Sequence, residues 1–230
     1  MHYSAIFFDL DGTLLPMDLD EFIQNYFKLL AARFAPQDPK SFIAAVWQST
    51  KAMIANDGSM TNEERFWAEF TGLLGAEIRS REPEFADFYE TDFHRLRSLC
   101  GENPQAGALI ARARQHADRV VLATNPLFPL CGVRSRLSWI GLTPEDFDYV
   151  TTYENSSFCK PSAAYYQQIC DRLSLDPRQC LMVGNDLQED AWGARQLQME
   201  THILTDCLIA HGLDLNNWNH STFSEFLDML

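Results

Sequence analysis

The chain has 230 residues, with 18 Lys and Arg against 32 Asp and Glu, for a formal net charge of −14. That length suits one large domain or two modest ones, and 46% apolar residues, with 16 Phe, 7 Tyr and 5 Trp, are too many for a disordered chain. The charge repels nucleic-acid backbones and anionic membranes, so neither is an expected partner, whereas a small anionic substrate stays open because a bound cation reverses the sign of a local site.

The opening residues 3–8 form a short apolar run, ended sharply by Asp9-Leu10-Asp11-Gly12-Thr13. Such a run closed by Asp and Gly reads as a buried strand. No basic leader precedes it, and no apolar run approaches the roughly 20 residues of a membrane helix. The cytoplasm is the expected location. From 18 to about 98 the pattern changes to helix after helix. Asp18 with Glu21 resembles a capping box opening a helix through Phe34. Pro39 and Ser41 open a second helix that Asp57-Gly58 stops. Thr61 with Glu64 opens a third ended by Gly75, and 82–99 forms a fourth. The aromatic residues of this block, Phe22, Phe27, Trp47, Phe66 and Trp67, are expected in the core of the helical bundle.

Beyond residue 100 strands and helices alternate. Helices are expected at 106–117, 162–173 and 189–197, and strands at 119–124, 147–151, 180–184 and 201–205. Alternation of this kind indicates a parallel sheet covered on both faces. The fold class is therefore α/β, with a core at 1–17 and 99–230. The helical block at 18–98 is too long for a crossover and reads as an inserted all-helical domain. The joins near Pro16-Met17 and at 101–104 carry the proline and glycine that suit hinges. The six cysteines (Cys100, Cys131, Cys159, Cys170, Cys180 and Cys207) form no CxxC pair, and the six histidines show no paired ligand spacing. A zinc site is not expected, and the thiols are expected buried or half-buried.

In doubly wound sheets ligands bind beyond the carboxyl ends of the strands. Here those ends carry Asp9 and Asp11, then Thr124-Asn125, then Lys160 after the 147–151 strand, then Gly184-Asn185-Asp186 with Asp190 beyond. Asp9, Asp11 and Asp186 supply the oxygen ligands a hard divalent cation such as Mg²⁺ prefers. Thr124 and Lys160 can satisfy phosphoryl oxygens that a cation does not reach. Asp9 at a strand tip can act as a covalent nucleophile, and Asp11, two residues on, as general acid and base. Each element alone has an ordinary structural explanation as a turn, a helix cap or a solvated lysine. Their order at four strand ends is what points to chemistry.

This ordered set resembles the haloacid dehalogenase (HAD) superfamily, in its phosphatase-like members. The family's first motif, Asp-x-Asp-Gly-Thr, matches Asp9-Leu10-Asp11-Gly12-Thr13 completely. The second falls on Thr124, the third on Lys160-Pro161, and the fourth, Gly-Asp-x-x-x-Asp, on 184–190 with Asn185 as an extra residue. The resemblance covers about 1–17 and 100–210. It implies a Rossmann-like core with a C1-type helical cap, and, with 34 residues between Asn125 and Lys160, a second cap position that is nearly empty. It further implies an aspartyl-phosphate on Asp9, proton transfer by Asp11, and Mg²⁺ held by Asp9, the Asp11 carbonyl and Asp186. Thr124, Asn125 and Lys160 would hold the phosphoryl group, and Asp190 would orient water or Lys160. Family dehalogenases lack the second motif-one Asp, so Asp11 argues against halide as the leaving group. The expected activity is a Mg²⁺-dependent phosphohydrolase of a small phosphorylated metabolite. A phosphotransferase or phosphomutase using the same intermediate is the alternative, and a catalytically idle binding protein a further one. Oligomeric state is open from the sequence, with a monomer favoured.

Overall fold

Strand β1 (Ala5–Phe8) turns Ala5 and Phe7 to one side and Ile6 and Phe8 to the other, and all four are fully buried. A strand covered on both faces shows as an unbroken apolar run rather than an alternation. In the computed structural model, which describes residues 2–35 and 37–230, five further strands follow. They are β2 (Val120–Leu122), β3 (Tyr149–Val150), β4 (Cys180–Gly184), β5 (Glu200–Leu204) and β6 (Asn219–Ser221). All pair in parallel, in the order β3-β2-β1-β4-β5-β6. That is the strand order of the Rossmann-type doubly wound sheet, whose ligands sit where the winding reverses, beside the first strand.

Four helices and two 3₁₀ segments, among the described residues, make up the stretch 18–99. They are α1 (Leu19–Phe34), α2 (Pro39–Ile54), α3 (Asn62–Leu74) and α4 (Glu82–Glu90), with 3₁₀ turns at Ala76–Arg81 and Asp92–Leu99. Local chemistry sets their starts. The Asp18 carboxylate accepts from Glu21 N at 2.9 Å, Asp38 accepts from Ser41 N ahead of Pro39 in the first turn, and Thr61 and Glu64 form a reciprocal capping box. The single fourth helix expected over 82–99 is instead α4 followed by a 3₁₀ segment, with the break at Thr91. Thr91 turns its hydroxyl back onto Asp87 O at 2.6 Å, the competition with backbone bonding that makes Thr a poor helix-interior residue.

The remaining helices are α5 (Ala106–His116), α6 (Leu130–Ser138), α7 (Ala163–Leu173), α8 (Gly193–Arg195) and α9 (Phe223–Met229). The helix expected over 189–197 is mainly a π-type turn, Leu187–Trp192, running into α8. Helices α7 and α8 cover the Phe7 face of the sheet. Helices α5, α6 and α9 cover the Phe8 face, and there the inserted helices join the same apolar cluster. Phe22 packs on Trp139 at 6.3 Å between ring centroids, and Tyr26 on Phe128 at 5.4 Å. The insert and the sheet therefore share one hydrophobic core on that side. The two connecting strands are also tied together, since Met17 pairs with Cys100 and Gly101 N donates to Pro16 O at 2.7 Å. No helix among the described residues is long and apolar enough to cross a membrane.

Candidate active site

Backbone pairing fixes the three central strand ends against one another. Asp9 N donates to Val183 O at 2.9 Å and Ala123 N to Phe8 O at 2.7 Å. Asp9, Thr124 and Asn185 thus leave the sheet at one level, around a crevice of about 130 Å³ lined also by Asp11, Asn125, Asp186, Glu189 and Asp190. All the site residues singled out from sequence meet here. Lys160, with 2% exposure, comes up from beneath and donates to Asp9 Oδ1 at 2.8 Å and to Asp190 Oδ1 at 2.6 Å.

The loops carrying these residues depend on close backbone approach. Gly12 has φ +86°, and a Cβ there would lie 2.2 Å from Asn185 Nδ2. The Asn185 side chain fills that space, accepting from Thr13 Oγ1 at 2.9 Å and donating to Cys207 O at 2.7 Å. The extra residue of the fourth motif thereby ties the β1, β4 and β5 loops together. Asp186 follows it into the crevice. Gly184 likewise gives way to Asp190, whose Oδ2 accepts from both Asn185 N and Asp186 N at 3.0 Å. The π-type turn brings Asp190 back beneath its own loop, so its carboxylate orients Lys160 and braces the backbone at once.

Three residues near the chemistry were not singled out from sequence. Arg136 of α6 is fully buried, pairs with Asp11 Oδ2 through Nη1, donates to Gly132 O and stacks over the Phe128 ring at 4.3 Å. The segment between Asn125 and Lys160, which looks nearly empty as a cap position, holds α6 and this arginine. His211 Nε2 lies 2.7 Å from Asp186 Oδ2, while Asp186 Oδ1 accepts from Gln188 N and Glu189 N. Glu189 accepts from Asn125 Nδ2 at 3.1 and 3.0 Å. No sequence signal marks these contacts, because Arg136 and Asp11 are 125 residues apart and a lone His or Glu in a loop has no spacing to read.

The electrostatics are one-sided. Five carboxylates (Asp9, Asp11, Asp186, Glu189 and Asp190) face two cationic side chains, Lys160 and Arg136. Burial pushes the Asp9 carboxyl up to about 7 against the pull of Lys160, with Asp190 and Asp11 adding to the rise. Burial pushes Glu189 up to about 8. Burial draws the Lys160 ammonium down, but Asp190 and Asp9 outweigh it and hold Lys160 well above its usual value. Asp11 Oδ1 and Asn125 Oδ1 are buried with no protein partner. Unpaired oxygens and surplus negative charge together fit a divalent cation with a phosphate group. Among the described residues no three His, Cys, Asp or Glu side chains meet at ligand distance. A cation here would be completed by main-chain oxygen, water and phosphate, the mixed set Mg²⁺ favours.

A family model of haloacid dehalogenase-like hydrolases matches residues 3–198. The chain belongs to that family. No curated protein matches the hydrolase by sequence. Among solved structures it is similar to the HAD phosphatase from Thermococcus onnurineus, at 19% identity and a TM-score of 0.60 over 100% of this chain and 97% of that one. It is also similar to the HAD-hydrolase YfnB from Bacillus subtilis, solved with magnesium, at 18% identity and 0.55 over 100% and 99%. A dehalogenase structure is similar at 15% identity and 0.56 over 99% and 97%. At these identities the likeness is one of fold, and phosphatases and dehalogenases share it.

Beside the crevice the hydrolase has a second cavity, between the inserted helices and the loop after β2. Four of the five aromatic residues expected in the bundle core, Phe27, Trp47, Phe66 and Trp67, line it. Only Phe22 and Trp67 of the five are buried. The helical period that placed these rings on one face was read correctly, but that face is only partly covered by protein.

Proposed function

We propose that the chain is a Mg²⁺-dependent phosphomonoester hydrolase working through a phosphorylated Asp9. The observation that carries this reading is Asp9 at the tip of β1, held by Lys160 at 2.8 Å, with Asp11 beside it in the same crevice. An Asp9 carboxylate oxygen attacks phosphorus, the bond from phosphorus to the ester oxygen breaks, and Asp11 gives its proton to that oxygen as the alcohol leaves. Asp11 then takes a proton from water as the water oxygen attacks the acyl phosphate. The bond from phosphorus to Asp9 breaks, and inorganic phosphate departs.

Arg136 binds Asp11 Oδ2 and leaves Oδ1 without a partner, so Oδ1 is the oxygen that carries the proton. Lys160 and Thr124 hold phosphoryl oxygens, with the Asn125 amide at the rim and Asp190 steadying Lys160 from below. The Asp9 carboxylate, the Asp11 carbonyl and Asp186 would hold Mg²⁺, and Asp186 is pre-aimed by its two backbone amides and by His211. Bound there, the cation supplies charge to offset the carboxylates and the phosphate dianion. Departing halide needs no proton, so a positioned Asp11 favours an ester oxygen over halide as the leaving group. Helices 18–98 serve as the cover of the crevice, which Leu19 and Ile23 of α1 already border.

Inorganic phosphate release from a panel of phosphomonoesters tests the reading. Activity should vanish with excess chelator and return with Mg²⁺. Ca²⁺, with its larger radius and looser geometry, should not restore it. Full activity in excess chelator would contradict the metal assignment.

A further inference from the structure

The cavity beside the crevice has an almost wholly apolar wall. Its lining is drawn from α1, α2, α3, α4, the loop after β2 and Tyr153 after β3, and it contains no Asp, Glu, Lys, Arg or His. The cavity is about 100 Å³ and opens in part to solvent. Packed interiors carry few voids larger than a water molecule, so a space of this size, bordered by half-buried Phe27 and Phe66 and exposed Trp47, is not ordinary bundle core.

Most of its polar atoms are already satisfied within the wall. The Tyr26 and Tyr89 hydroxyls pair at 2.8 Å, and Thr50 donates to Val46 O at 2.9 Å. The Tyr153 hydroxyl and the Trp67 indole lie side by side and are the remaining polar groups. The cavity also adjoins the crevice that holds Asp9, since Ile23, Leu127 and Phe128 line both. Phe128 has Arg136 on it at 4.3 Å, so the same ring borders the cavity and supports the arginine that orients Asp11.

We propose that this cavity receives the alcohol part of the ester, and that the substrate is the monophosphate of an uncharged aryl or arylalkyl alcohol. The inference rests on the phosphohydrolase reading above and narrows it. Flat rings suit a wall of Phe, Trp and Tyr, which pack edge-to-face or offset against an aromatic guest. A phosphosugar would bring several hydroxyls to a wall with almost no free partner, and a phosphorylated acid would bring a carboxylate to a wall with no cation.

The test compares phosphate release by the full chain with Mg²⁺ from benzyl phosphate and naphthyl phosphate against a hexose phosphate and phosphoglycerate. The aromatic esters should lead in kcat/KM by about 100-fold or more, the scale on which an apolar pocket and its unpaired guests discriminate. Trp47 is 44% exposed at the mouth, so Trp47→Ala leaves the buried core in place and should lower that ratio about tenfold. A hexose phosphate or phosphoglycerate turned over as well as benzyl phosphate would overturn the inference and leave the hydrolase reading standing. If no ester is turned over, the hydrolase reading fails, and calorimetric titration with naphthol decides the cavity separately. Saturable binding that weakens about tenfold in Trp47→Ala supports an aromatic site; absence of saturable binding overturns it.

Discussion

Asp11 depends for its orientation on a residue from another part of the chain. Arg136 is fully buried, so its pairing with Asp11 is only partly screened by water, and its guanidinium is fixed by the Phe128 ring and Gly132 O. Breaking such a pair by removing one partner costs about 3–5 kcal/mol. Arg136→Met should therefore lower the urea midpoint clearly. It should also lower kcat by about 10²-fold, toward the loss of general acid–base assistance, with a smaller change in KM. Arg136→Met with parental kcat would show that Asp11 needs no such anchor. The meeting of Asp9, Asp11, Thr124 and Asp186 at one crevice, with Lys160 against Asp9, was legible because a strand end followed by a reactive residue is a local pattern. Arg136, His211 and Glu189 were not, because each matters only through a partner that folding brings to it. Of the aromatic residues expected in the bundle core, Phe22 and Trp67 are buried in it, Phe27 and Phe66 pack against it, and Trp47 is exposed: periodicity shows which side of a helix is apolar, but not how completely the protein covers it.

The elements differ in how openly they announce themselves. Strands β1 and β4 lie in the sheet centre and are apolar throughout, so their runs are plain. Strand β6 reads Asn219-His220-Ser221, is mostly exposed, and gave no signal. It forms by pairing with β5, where His202 Nε2 lies 2.8 Å from Ser221 Oγ and the ring lies 4.6 Å from Phe226 of α9. Burial pulls the His202 imidazole down from 6.5 to about 4, and His220 pulls the same way. Between about pH 4 and 6.5 the unfolded chain therefore binds a proton that the folded one does not, so this contribution to stability is complete above that window and fades as pH falls through it. Urea midpoints followed across the window should decline less in His202→Gln than in the parent. Parallel declines would place the ring outside the folding equilibrium.

At the scale of the molecule, the inserted helices and the sheet are bound by shared aromatic packing. Phe22 and Phe93 pack on Trp139 of the core at 6.3 and 5.4 Å, and Ser135 of α6 donates to Tyr89 O at 2.8 Å. Excision of 18–98 in favour of a short linker strips α6 of that cover and leaves Arg136 and Trp139 exposed. The excised product should lack a cooperative thermal transition, whereas a freely hinged cover would leave the remaining sheet folded with a transition of its own. The α/β class and the helical insert were both legible from patterns of local period. The common core that joins them was not, because it is made of contacts between distant segments of the chain.

The proposed hydrolysis requires phosphorus to become bonded to Asp9. In Asp11→Asn the water step loses its base, so phosphoenzyme should accumulate when an activated ester such as nitrophenyl phosphate is supplied with Mg²⁺. Acid quench followed by mass spectrometry should find one added phosphoryl group on the peptide that contains Asp9, absent when Asp9→Asn is combined with Asp11→Asn. Ordinary hydrolysis by Asp9→Asn alone, or a phosphoryl group trapped on another residue, would contradict the account.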